Sequence, residues 1–170
     1  MNWLNILKDK KHSKNIKLSN PFNNPYVFAK MFSGNPYVKE VFLHKDTIYI
    51  EDNSFKNCIS LEKINIPPKV EYLTSKMFYG CVSLCEIIAE NPTPPKYYPD
   101  RICCLRDADD YDDERLLYFC VRIKEIFTEK PNCFKGVDRD KCIIRVPKGS
   151  VELYKKAHEW REFVNFIESD

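Results

Sequence analysis

Residues 61–81 read LEKINIPPKVEYLTSKMFYGC. From Leu61 to Ile66 the apolar residues are Leu61, Ile64 and Ile66, so Ile64 and Ile66 share one strand face and Asn65 points to the other. Pro67-Pro68 ends that strand. Val70 to Leu73 is a second short extended piece, and Ser75 to Cys81 turns the chain back around the bulky Phe78. One coil of this kind cannot bury its own inward side chains. It needs neighbours of the same shape on either side.

The neighbours are present at a fixed period. Phe32, Phe55 and Phe78 are each 23 residues apart. Around them Gly34, Asn57 and Gly80 fall in one column, all residue types that tolerate positive φ. Val38, Leu61 and Leu84 form another column, Val41, Ile64 and Ile87 a third, and Leu43, Ile66 and Ala89 a fourth. Ile50 matches Leu73, Cys58 matches Cys81 and Ser60 matches Ser83. So many coincident columns at one period indicate a solenoid whose strands pair in parallel and in register.

Stacking makes equivalent residues lateral neighbours, which fixes the outward columns. Glu40, Lys63 and Glu86 alternate in charge, as do Lys39 and Glu62. Opposite charges across neighbouring strands contribute roughly 0.2–1 kcal/mol each. The next outward column is Phe42, Asn65 and Ile88, with two large apolar members. Those are the residues expected to meet a partner or to be covered by another part of the chain.

Composition narrows the function classes. The chain has 170 residues, the size of one domain, with 27 basic and 25 acidic residues and a net charge of +2. That balance excludes a strong overall electrostatic case for nucleic acid. No apolar run approaches the roughly 18 residues of a membrane-spanning helix, so membrane insertion is not expected. The four glycines, Gly34, Gly80, Gly136 and Gly149, stand far apart, which excludes a dinucleotide-binding loop and a P-loop. At the N-terminus Trp3, Leu4 and Leu7 suit a short amphipathic helix followed by Lys8, Lys10, Lys11, Lys14 and Lys17. That lysine stretch has no arginine and no interleaved aromatics, so it reads as a solvated helix face rather than a nucleic-acid arm. The order of a signal peptide is missing, and the chain as it stands is expected to be cytoplasmic.

The eight cysteines are Cys58, Cys81, Cys85, Cys103, Cys104, Cys120, Cys133 and Cys142. They contain no C-x-x-C pair, and His12, His44 and His158 are scattered, so no zinc site and no cofactor are expected. Cys58 and Cys81 occupy a repeat column and read as buried small hydrophobes. No thiol–histidine signature is present, and no enzymatic activity is expected.

Residues 96–131 interrupt the repeat. They carry Cys103-Cys104 and then Asp107-Ala108-Asp109-Asp110-Tyr111-Asp112-Asp113-Glu114. Leu116, Phe119, Cys120, Ile123 and Phe127 follow at helical spacing, while Leu117, Phe119, Val121 and Ile123 alternate as a strand does. On the helical reading the acids offset the helix dipole at its N-terminal turn. On a calcium-loop reading the sixth position from Asp107 is Asp112 rather than glycine and the twelfth is Tyr118 rather than glutamate, which fails the EF-hand test. The insert is too apolar to be solvated, so it is expected to lie on the solenoid and to supply specificity.

These residues resemble the BspA-type leucine-rich repeat family. Ile66, Pro67, Val70, Leu73, Phe78, Cys81, Leu84 and Ile87 match its unit. Asn91-Pro92-Thr93-Pro94-Pro95 resembles its TPP turn, Cys133-Phe134-Lys135-Gly136-Val137 its last turn, and Cys142 to Ser150 its closing strand and stop. Val151, Tyr154, Trp160, Phe163 and Ile167 suit a capping helix. The resemblance implies protein or matrix binding, a cell-surface or secreted setting with adhesion to a host, and no catalytic set.

The resulting expectation is one leucine-rich-repeat domain, a short parallel β solenoid of 23-residue period. Residues 1–26 form an N-terminal helix or cap, 27–95 about three coils, 96–131 a helical insert, and 132–170 the last turn, strand and capping helix. Its function is non-catalytic recognition of a protein, glycan or matrix ligand through Phe42, Lys63, Asn65, Glu86 and Ile88. The rival reading is a structural spacer that self-associates, and a third is a metal-dependent role at Asp107–Glu114.

Overall fold

The 23-residue period becomes a stack. A computed structural model describes residues 26–27, 29–97 and 133–169. Its elements are β1 (Tyr26–Val27), β2 (Glu40–Val41), β3 (Tyr49–Ile50), β4 (Lys63–Ile66), β5 (Tyr72–Leu73), β6 (Glu86–Ala89), β7 (Lys96–Tyr97), β8 (Ile143–Pro147), α1 (Val151–Lys156) and β9 (Asn165–Ser169). The main sheet has five strands in the order β2-β4-β6-β8-β9. Every pairing in it is parallel, with Lys63 opposite Glu86 and Ile87 opposite Ile144. A second face carries the short parallel pairs β1–β3 and β5–β7. The molecule is therefore a parallel β solenoid of about five turns, with the core enclosed between the faces.

The turns stack as strictly as the strands. Phe32, Phe55, Phe78 and Phe134 lie ring on ring, with centroids 5.1, 5.7 and 5.6 Å apart. Backbone amides of one turn donate to the next, from Phe32 to Ser54, Phe55 to Met77 and Phe78 to Cys133. The column of Gly34, Asn57, Gly80 and Gly136 has φ of 71, 57, 76 and 96°. At Gly80 a Cβ would stand 2.3 Å from Asn57 Oδ1, so this turn admits no side chain without rearrangement. The cysteine column is also explained: Cys58 Sγ donates to Phe32 O at 2.9 Å and Cys81 Sγ to Phe55 O at 3.0 Å. Both are buried free thiols, as their column position implies.

Two further strands and a short helix close the stack. The expected capping helix is cut to the six residues of α1, and Ala157 turns extended with ψ 134°. Trp160 lies in the turn that follows, Phe163 just after that turn, and Ile167 in β9. A helix running on to Ile167 would leave the outer edge of β8 unpaired, and a fifth parallel strand satisfies that edge instead. The cap is still apolar and aromatic. Trp160 and Phe163 pack on Phe134 at 5.3 and 5.1 Å. Tyr154 donates its hydroxyl to Asn91 O at 2.6 Å, and Trp160 Nε1 donates to Pro95 O at 3.2 Å. The Asn91–Pro95 turn is thus bolted to the cap.

Lys96 and Tyr97 belong to β7, so the interruption of the repeat starts after Tyr97 rather than at residue 96. In the plain coil three residues join Leu73 to Met77; here 98–132 join Tyr97 to Cys133. The N-terminal helix and the helical or strand-like reading of the insert, including Asp107–Glu114, lie outside the described residues.

Candidate recognition face

Strand alternation sorts the main sheet into an inner row, Val41, Ile64, Ile87 and Ile144, all buried, and an outer face. On the outer face one row runs Glu40, Lys63, Glu86, Ile143 and Asn165. A second row runs Asn65, Ile88, Arg145 and Ile167, with Phe42 just past the end of β2. Four of the residues singled out from sequence, Phe42, Lys63, Glu86 and Ile88, are brought together here and are each half-buried.

Charge on this face is organised around Glu86. Lys63 Nζ sits 2.7 Å from one carboxylate oxygen, and Arg145 Nε donates to the other. Burial alone would raise the Glu86 carboxyl, but the hydrogen bonds from Lys63 and Arg145 hold it below its ordinary value. Lys39 pairs with Glu62 in the neighbouring column, as the alternating charges anticipated. These links are partly solvent-screened, so they fix side-chain positions more than they stabilise the fold.

Asn65 differs from its expected role. It is 5% exposed, and its amide is used internally: Leu43 N donates to Oδ1 at 2.5 Å, and Nδ2 donates to Leu43 O at 3.0 Å and Glu90 Oε1 at 2.9 Å. Strand β2 ends at Val41, and the Asn65 side chain continues its ladder where the backbone no longer pairs. The residue is therefore a strut under the face, its amide engaged by the neighbouring coil and by Glu90.

Three residues of the face went unnoticed in the sequence: Ile143, Arg145 and Ile167. The signal for the first two was available, since Lys63-Ile64-Asn65-Ile66-Pro67 and Ile143-Ile144-Arg145-Val146-Pro147 share one pattern. Ile167, 40% exposed, has no such parallel and depends on the pairing of β9.

Burial pushes the Cys58 thiol up to about 11 and the Cys81 thiol to about 12, the opposite of what a thiolate nucleophile requires. Among the described residues no group of three or more His, Cys, Asp or Glu side chains is arranged to hold a metal ion. No helix there is long and apolar enough to cross a membrane.

The family model described as BspA type leucine-rich repeat region (6 copies) matches residues 8–94, just over half of the chain. No curated protein matches the sequence.

Proposed function

The chain belongs to the BspA-type leucine-rich repeat family, and on that premise we propose that it is a non-catalytic recognition module that holds a protein partner on the outer face of its main sheet. A repeat of this family points to protein interaction; the face and the kind of contact are our reading. One observation carries it. Phe42, Ile88, Ile143 and Ile167 surround the Lys63–Glu86–Arg145 chain on one sheet surface. Apolar anchors around fixed charges are what a protein interface needs, because the anchors supply energy and the charges supply register. Arg145 uses Nε for Glu86, and among the described residues its two terminal nitrogens have no partner, which suits them to an incoming carboxylate.

The test places a photo-crosslinking side chain at Ile88 and, as control, at Glu152 on α1. Both versions are irradiated in extract from the source cells. Discrete adducts from position 88 that disappear with Arg145→Glu are expected. Identical adducts from both positions, or adducts indifferent to Arg145→Glu, would overturn the assignment of this face.

A further inference from the structure

The turns that carry the phenylalanine stack also carry side chains that reach solvent, with Lys56 and Tyr79 half-buried and Lys135 exposed. Two columns of these side chains are basic. Amides of Gly34, Asn57 and Gly80 donate to Lys56 O, Tyr79 O and Lys135 O at 2.7, 2.7 and 2.8 Å, which puts Lys56, Tyr79 and Lys135 side by side on successive coils. Lys56 Nζ and Lys135 Nζ each stand 5.7 Å from the centre of the Tyr79 ring, one from each neighbouring coil. The adjacent column is Lys30, Asn53 and Lys76, with φ of 59, 58 and 54°. Asparagine is at home in that left-handed conformation and lysine is not, so the ridge carries lysines twice where the backbone disfavours them. The described turn residues 29–35, 52–58, 75–81 and 133–137 hold four lysines and a single acid, Asp52. Lysine ion pairs among the described residues use Lys39, Lys63, Lys69, Lys141 and Lys155, and none uses Lys30, Lys56 or Lys135.

We propose that this ridge is a docking site for an acidic peptide segment, bound extended along the solenoid axis with carboxylates over Lys56 and Lys135. Lys56 and Lys135 are two coils apart, roughly 10 Å at the usual strand spacing, and an extended chain covers roughly 10 Å in three residues. Acids three apart therefore meet the two ammonium groups in register. A nucleic acid fits less well. The Tyr79 ring is already flanked by ammonium groups, so it offers no open platform for a base, and the turns carry no arginine to grip a phosphate. The ridge is built from turn residues and the face of the proposed function from strand residues, so either assignment can fail alone.

The full chain is titrated against a fluorescent nonapeptide with glutamate at every third position, followed by anisotropy at low salt. Saturable binding is expected, weakened about tenfold or more by Lys56→Glu with Lys135→Glu and by the milder Lys56→Gln with Lys135→Gln, and untouched by Lys63→Glu. A peptide of equal charge with its glutamates bunched at one end is expected to bind less tightly. Equal binding by the double variants, or none by the wild type, overturns the proposal. So does a sulfated oligosaccharide that binds the ridge more tightly than the peptide. Binding that appears only after the acids of 107–114 are neutralised would make that stretch of the chain the occupant and overturn an external partner.

Discussion

Glu159 is the least comfortable residue of the described structure. It is 5% exposed, in the turn between α1 and β9, and among the described residues its Oε1 has no hydrogen-bond partner. His158 Nδ1 is 4.0 Å away, and Arg139, whose charge favours the ionised form, is paired with Glu162. Burial, opposed by Arg139, pushes the Glu159 carboxyl up to about 7 from 4.5. An acid raised in the native state is protonated there at a pH where the unfolded chain is already ionised. Its protonated form therefore favours folding below about pH 4.5, and that contribution is lost as pH rises toward 7. Glu159→Gln keeps the shape and removes the titration. Urea unfolding at pH 5 and pH 8 should show the variant gaining on wild type by at most about 3 kcal/mol at the higher pH. Parallel pH profiles for the two proteins would contradict this. At this scale the sequence is only partly legible. The column of Cys58 and Cys81 revealed their burial, because stacking repeats a position. Glu159 lies in no column, and nothing in its local sequence marks a buried carboxylate.

The strands show what periodicity captures and what it misses. Inward Val41, Ile64 and Ile87 were legible because parallel, in-register strands must present equivalent residues to the same core. The strut made by Asn65 was not, since a side chain that bonds to a neighbouring backbone follows the local end of β2 and not the repeat. Asn65→Ala would leave Leu43 N–H and C=O without these partners beside a sheet, at a cost of about 1–3 kcal/mol. Chemical denaturation is expected to show that loss with an unchanged denaturant slope, and hydrogen exchange should quicken at Leu43 before it quickens at Ile64. A loss confined to a few tenths of a kcal/mol would mean that water replaces the amide. The end of the chain departs from the expected capping helix for a related reason. Val151 to Ile167 carries apolar residues at near-helical spacing, but Asn165 to Ser169 can also extend. Pairing with the open edge of β8 decides between them, and that edge exists only once the stack has formed.

For the whole molecule the decisive geometry is that the stack ignores the interruption of the sequence. Phe78 N donates to Cys133 O and Gly80 N to Lys135 O, and the Phe78 and Phe134 rings are in contact although 56 residues separate them. The family match ends at residue 94, yet β8 and β9 carry the same sheet onward. A quasi-one-dimensional stack is stabilised by nearest-neighbour interfaces, so chain inserted at a turn adds loop-closure entropy without breaking an interface. Shortening 98–132 to the three-residue link of the plain coil, Thr-Ser-Lys as at 74–76, should therefore leave the solenoid folded. The circular dichroism of the sheet and the near-ultraviolet signal of Trp160 are expected to survive, with a melting temperature within about 5 °C of the parent. Loss of cooperative melting would show instead that the inserted residues are part of the stack. The shortened chain also separates scaffold from specificity. If it folds and still yields the position-88 crosslinks, recognition resides in the sheet face; if it folds and loses them, the inserted segment is part of what the partner reads.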